Sequence, residues 1–292
     1  MPSAPDPASA ELKRPRDDEL DLFGLTHQGH VRTDNQDHFL VCTVHPEVVV
    51  HTTSLPQVED LPLRGSRLAT ILVVADGVGG GDFGSEAAQL ATESITTYVA
   101  CTLRSYHAAG KASENELLDN LRSAIGEAHD AVLGDAAARE PAGRMASTLT
   151  VGIVIWPWCY VVQVGDSRGY YFDSSELRQL TRDQTIGQSL VDQGVLPAER
   201  LSISPYRNVL ASAIGGGEAI PEVTRIQMQR SGTLLFCTDG LTKHVTDAEI
   251  GERMGRMTGS EQLCRELLAL ALERGGSDNI TIVVGRAPPE RQ

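Results

Sequence analysis

Strand-length apolar runs come first in this sequence, then two long amphipathic stretches, then further strand-length runs, and last two more helical stretches. A doubly wound parallel sheet needs strand and helix to alternate. The order here argues instead for two antiparallel sheets face to face with helices outside, an α+β sandwich. The strand-like runs lie at 22–28, 39–44, 48–52, 69–75, 148–155, 159–164, 169–172, 233–237 and 280–284. Between them, 84–103 puts Ala88, Ala91, Ile95 and Val99 on one helix face, and 114–133 does the same with Leu117, Leu121, Ala124, Ala128 and Val132. Helices are also expected at 247–257 and 261–273. No internal repeat interrupts the pattern.

With 292 residues, 41% of them hydrophobic, the chain can bury one full core. We expect a single domain over 21–287. A disordered leader, 1–20, precedes it, because Pro, Asp, Glu, Lys and Arg leave little surface worth burying; a short tail, 288–292, follows. No segment has the apolar length of a signal peptide or a membrane span. Acidic residues number 39 against 25 basic ones, a net charge of −14, and no window concentrates Lys and Arg. Neither nucleic acid nor a membrane is therefore an expected partner. Five cysteines stand singly, without C-x-x-C spacing, and read as reduced, buried thiols of a cytoplasmic protein.

The strongest local signal is Ile71-Leu72-Val73-Val74-Ala75-Asp76-Gly77-Val78-Gly79-Gly80, an apolar strand ending at an acid and a glycine-rich turn. A strand end is a rigid mount, and the glycines let a backbone carbonyl and a bulky ligand approach Asp76 closely. Alone, the segment reads equally well as a plain Asp-Gly turn. The construction recurs at Leu234-Leu235-Phe236-Cys237-Thr238-Asp239-Gly240, and Asp278 precedes an apolar strand in Gly275-Gly276-Ser277-Asp278-Asn279. Asp166 follows a strand in Val164-Gly165-Asp166-Ser167-Arg168, and Asp37 closes Arg32-Thr33-Asp34-Asn35-Gln36-Asp37 ahead of another. All five acids thus sit at strand edges. If two sheets bring those edges together, hard carboxylate oxygens converge and require hard cations of the magnesium or manganese type, without which they repel.

These segments, together with Ala146-Ser147-Thr148, Leu180-Thr181-Arg182-Asp183-Gln184, Asn208-Val209-Leu210 and Ser277-Asp278-Asn279-Ile280-Thr281, resemble the metal-dependent protein phosphatase family (PPM, type 2C) in order and content. The resemblance is to its compact bacterial serine/threonine members and runs over about 29–285. It implies a four-layer sandwich of two antiparallel β-sheets flanked by α-helices. It also implies hydrolysis of phosphoserine and phosphothreonine in proteins by a water or hydroxide bridging two Mn2+ or Mg2+ ions. By the resemblance, Asp76 bridges the ions, Asp239 and Asp278 complete the first, the Gly77 carbonyl joins the second, and Asp37 acts there through bound water. Asp166 with Asp239 matches a weaker third metal position. Arg32 matches the residue that grips the substrate phosphate, a role suited to a planar, permanently charged fork. Where the family often has Glu this chain has Gln36, which removes a charge from an outer contact of the second ion.

Such chemistry needs no side-chain nucleophile. The sequence agrees, since it has no C-x5-R loop, no G-x-S-x-G elbow and no G-x4-G-K-[ST] phosphate loop. Some family members carry His directly after the Asp-Gly pair; here Val78 stands there, so a metal-bound water is expected to supply the leaving group's proton. His27, His30 and His38 receive no role. Residues 184–208 match a flap beside the active site of bacterial relatives and are expected to influence the choice of protein substrate. The stretch 46–67 reads as an extra hairpin, a partner-binding loop or a plain surface connection. Family analogy adds an opposing serine/threonine kinase to the expected partners. The alternative reading is a catalytically weak, phosphatase-like binding module, against which stands the presence of Asp76, Asp239 and Asp278.

Overall fold

In the computed structural model, which describes residues 13–47, 50, 63–79, 83–109, 113–138 and 145–288, the strands form two antiparallel sheets. One sheet runs β1 (Asp21–His27), β11 (Ile280–Arg286), β10 (Thr233–Cys237), β7 (Arg168–Asp173) and β8 (Glu176–Gln179). The other runs β2 (Asp37–Val44), β3 (Ala69–Val78), β5 (Leu149–Ile155), β6 (Trp158–Val164) and β9 (Glu222–Gln227), with the short β4 (Ala146–Ser147) paired to the end of β3. The helices are α1 (Phe83–Ala109), α2 (Glu114–Ala138), α3 (Ile186–Asp192), α4 (Asp239–Thr242), α5 (Asp247–Arg256) and α6 (Ser260–Glu273).

Period-two alternation sends the side chains of each central strand into two different cores. In β3, Ile71, Val73 and Ala75 pack under α1 and α2, while Leu72 and Val74 face the opposite sheet. In β10, Leu235 and Cys237 pack with Leu263 and Leu267 of α6, while Leu234 and Phe236 enter the same inter-sheet layer. Strands covered on both faces need apolar residues throughout, which is why their sequences show no polar alternation. Phe236 fills the middle of that layer. A Cβ at Gly152 of β5 or Gly169 of β7 would overlap its ring, so two glycines on different sheets make its room. The outcome is the expected four-layer α+β sandwich.

Capping sets where several helices start. Ser113 and Glu116 exchange backbone and side-chain hydrogen bonds ahead of α2, as Thr246 and Glu249 do ahead of α5. Asp21 of β1 accepts the Ser260 N–H at 3.0 Å and so ties α6 to the edge of its sheet. The expected helices at 84–103 and 114–133 run further, to Ala109 and Ala138.

Two expectations need correction, and a third falls almost wholly outside the described residues. The domain boundary near residue 21 falls too late: residues 17–19 form a 3-10 turn, Pro15 is buried, and Asp17 and Glu19 pair with Arg67 (2.5 Å) and Arg230 (3.0 Å). Only 1–12 of the expected leader lies outside the described residues, as does 289–292 of the tail. The strand expected at 48–52 also lies outside them except for Val50, which is not in a strand; the described ends of 46–67 are joined by a Glu47–Arg64 bridge. Of the cysteines, Cys159, Cys237 and Cys264 are buried as expected, but Cys42 is half-buried and Cys101 exposed, with none in a disulfide.

Candidate active site

The inter-sheet layer changes character at one end. Asp76 continues the Leu72–Val74 row of β3, and Asp37 continues the row of Phe39 and Val41 on β2. The two acids are register partners across the β2–β3 pair, so like charges stand on one face at neighbouring positions. From the other sheet, β10 ends just before Asp239, and Asp278 lies two residues before β11. Asp166 occupies the turn from β6 to β7 and is 8% exposed. Asp76, Asp166, Asp239 and Asp278 line one cavity of about 780 Å³, with Asp37 behind them at 3% exposure.

Close backbone crossings hold this mouth together, and they require glycine. A Cβ at Gly77 would overlap the Gly84 carbonyl, and one at Gly240 would overlap the Asn279 carbonyl. Gly165 has φ +103, a left-handed conformation that L side chains avoid. Asp76 is fixed through its backbone: its N–H donates to Thr148 Oγ1 at 3.0 Å, and its carbonyl accepts from the Thr148 N–H at 2.9 Å and the Ser147 hydroxyl at 3.1 Å. Asp37 Oδ2 accepts from Thr238 at 2.8 Å and Thr281 at 2.7 Å, both on the opposite sheet side. Asn279 donates to the carbonyls of Gln28 (2.9 Å) and Asp34 (2.8 Å) and accepts the Gln36 N–H (2.9 Å), which staples the 28–36 loop over the site.

Electrostatics show the strain of so many acids in one place. Burial pushes the Asp76 carboxyl well above its usual value, and the charges of Asp37, Asp239, Asp166 and Asp278 push it further. Burial likewise raises Asp37, against the opposing hydrogen bonds of Thr281 and Thr238. It raises Asp166 too, with Asp239 adding to the effect. Burial also acts upward on Asp278, but hydrogen bonds from Arg32 and Lys243 outweigh it and hold that carboxyl low. Asp37 Oδ1 and Asp239 Oδ1 are buried without any hydrogen-bond donor. A buried, bare carboxylate oxygen is costly unless a proton or a cation meets it. An all-oxygen set of hard donors fits magnesium or manganese.

Two side-chain cations already stand in the mouth. Arg32 holds Asp278 with both prongs, 2.6 Å to Oδ1 and 2.9 Å to Oδ2. Lys243 Nζ lies 2.6 Å from Asp239 Oδ2 and 2.6 Å from Asp278 Oδ2. With these acids turned toward ammonium and guanidinium, no three His, Cys, Asp or Glu side chains among the described residues form a ready ligand cluster.

The structure therefore gathers Arg32, Asp37, Asp76, Gly77, Asp166, Asp239 and Asp278 at one end of the sandwich, with Arg32 turned to Asp278. Sequence reasoning missed Lys243, and it quoted Thr148, Thr238, Asn279 and Thr281 within the motifs without giving them a role. Lys243 carried a faint signal: it is four residues after Asp239, one helical turn. Val78 is exposed on the rim, and no histidine stands among the described lining residues. Of 184–208, only Asn208 reaches the cavity, followed by Val209 and Leu210.

Comparison with known proteins agrees with this geometry. Residues 63–275 match the family described as protein phosphatase 2C. The serine/threonine protein phosphatase PstP of Mycobacterium tuberculosis is 32% identical over 226 residues, 77% of this chain, which spans only 41% of that relative's length. The serine/threonine phosphatase stp of Listeria monocytogenes is 30% identical over 215 residues, 73% of this chain and 83% of its own. A solved PstP catalytic domain in complex with two manganese ions superposes with a TM-score of 0.69 at 26% identity, covering 92% of this chain and 99% of that one. The acidic mouth, the two-sheet frame and these matches lead to one statement: the chain belongs to the protein phosphatase 2C family.

Proposed function

We propose that this chain removes phosphate from phosphoserine and phosphothreonine in proteins, using two divalent cations, Mn2+ or Mg2+. Asp76, Asp239 and Asp278 would hold one ion. Asp76, the Gly77 carbonyl and, through water, Asp37 would hold the other, with a weaker third position at Asp166 and Asp239. One observation carries the reading: buried oxygens of Asp37 and Asp239 find no donor inside a mouth of converging acids. The names of the relatives support it, as does the manganese pair in the PstP catalytic domain.

Bound there, such ions would lower the pKa of a coordinated water and offset the charge that gathers on phosphorus. The chain's own residues do the rest. Ser147 and Thr148 fix the Asp76 backbone, and Thr238 and Thr281 aim Asp37. Arg32 stands at the rim with its side chain 57% exposed, able to trade Asp278 for a substrate phosphate. Exposed Val78 and Val209 give the mouth an apolar lip that a protein substrate covers. With no imidazole in the described lining, water supplies the proton to the leaving alkoxide. Free cysteines fit a cytoplasmic setting, and a serine/threonine kinase is the opposing partner. Among the described residues no helix is long and apolar enough to cross a membrane.

The test is turnover of a phosphothreonine peptide. It is expected to vanish on chelation and return with Mn2+, to fall at least about a hundredfold in Asp76→Asn, and to exceed turnover of nucleotides. Activity that survives chelation would overturn the reading. The pairing of Arg32 and Lys243 with Asp278 favours a second reading, a catalytically weak phosphatase-like binding module. Phosphopeptide binding without turnover at saturating Mn2+ would establish it.

A further inference from the structure

We propose that Lys243 is a tethered cation that competes with divalent metal for the Asp239–Asp278 pair and so sets how tightly this chain holds an ion there. The proposal rests on the metal-site reading above and concerns a residue that reading does not use. The ammonium lies 2.6 Å from one oxygen of each acid, so it bridges the two carboxylates assigned to one ion. Its placement is built into the chain. Asp239 opens α4, and Lys243 caps the other end of that single turn, donating its N–H to the Asp239 carbonyl. Gly240 presses α4 against the Asn279 carbonyl, immediately after Asp278. The Lys243 side chain is only 26% exposed, which limits the water available to weaken the pairs.

Two consequences follow, and both act in the same direction. In the metal-free chain Lys243 neutralises acids that would otherwise repel, and an arriving ion must take two oxygens from it. Once an ion is bound, the flexible stem lets the ammonium retreat, but it stays tethered within a few bond lengths and repels the newcomer. Lys243 therefore stabilises the empty site and weakens the filled one.

The experiment is calorimetric titration of Mn2+ into the full chain after chelator treatment, with melting temperatures measured with and without metal. Lys243→Met keeps the apolar stem and removes the charge; it is expected to bind Mn2+ at least about tenfold tighter than the parent. Its metal-free form is expected to melt lower, so the metal-induced rise in melting temperature grows. Lys243→Arg keeps the charge and is expected to stay within about threefold of the parent. Should Lys243→Met fail to fold, Lys243→Gln is to show the same tightening. Equal or weaker Mn2+ binding by the folded neutral variants overturns the role of Lys243 while leaving the metal site intact. Absence of Mn2+ binding in the parent and variants alike overturns the metal-site reading and this proposal with it.

Discussion

A single hydroxyl proton can go to only one acceptor, and that constraint orients the contacts behind the acidic mouth. Asn35 Nδ2 donates to Thr26 Oγ1, Thr26 stands 2.8 Å from Thr281 Oγ1, and Thr281 stands 2.7 Å from Asp37 Oδ2. The Thr281 hydroxyl is placed to donate to either Thr26 Oγ1 or Asp37 Oδ2, and facing a carboxylate, which only accepts, its one proton serves Asp37. Thr281→Val keeps the shape and removes one of the two donors to Asp37 Oδ2. It is expected to cost the metal-free protein about 1.5–3 kcal/mol in urea unfolding; an unchanged midpoint would show that the hydroxyl does not support Asp37. Residues of this kind were hard to read from sequence. Asp76 announced itself by interrupting an apolar row, whereas Thr281 resembles any β-branched strand residue and Lys243 any solvent-facing lysine. Their partners lie far off: Thr281 and Asp37 are 244 positions apart.

Among the elements, the strap formed by residues 13–20 is the one whose sequence misleads most. Its proline and charges look unburiable, yet two arginines wait for it at the end of the sandwich opposite the acids. Arg67 is 6% exposed and donates to Asp17 and to the Pro15 carbonyl. The Arg230 side chain is 11% exposed and pairs with Glu19. Removing one partner of a buried ion pair costs far more than the pair contributes. A chain starting at residue 13 is therefore expected to match the full chain in urea unfolding. One starting at residue 21 is expected to lose about 3 kcal/mol, tempered by the exposure of Asp17. Equal midpoints for the two truncations would refute the strap. The polar edge strands were just as hard to foresee. β8 and β9, whose residues are all exposed or half-buried, keep charged residues at sheet margins, which protects the edge but erases the apolar run that marks a strand.

For the molecule as a whole, cohesion between the sheets depends on the middle layer, and within it on Phe236, whose ring occupies the gap left by Gly152 and Gly169. Neither glycine can supply atoms to close a hole. Phe236→Ala is accordingly expected to lose about 3–5 kcal/mol, the range for buried aromatics, measured by urea unfolding. A loss below about 1 kcal/mol would mean that the sheets do not rely on it. This layer was also where the sequence was most legible, since doubly covered strands leave unbroken apolar runs. The pairing of its rows carries one more consequence. Asp37 and Asp76 face each other across β2 and β3, so a slip of a single residue would swing Asp37 beneath α1, among Val73 and Ala75. A bare carboxylate is not tolerated there. Mispaired copies eliminate themselves, and any molecule that passes as folded carries an assembled acidic mouth.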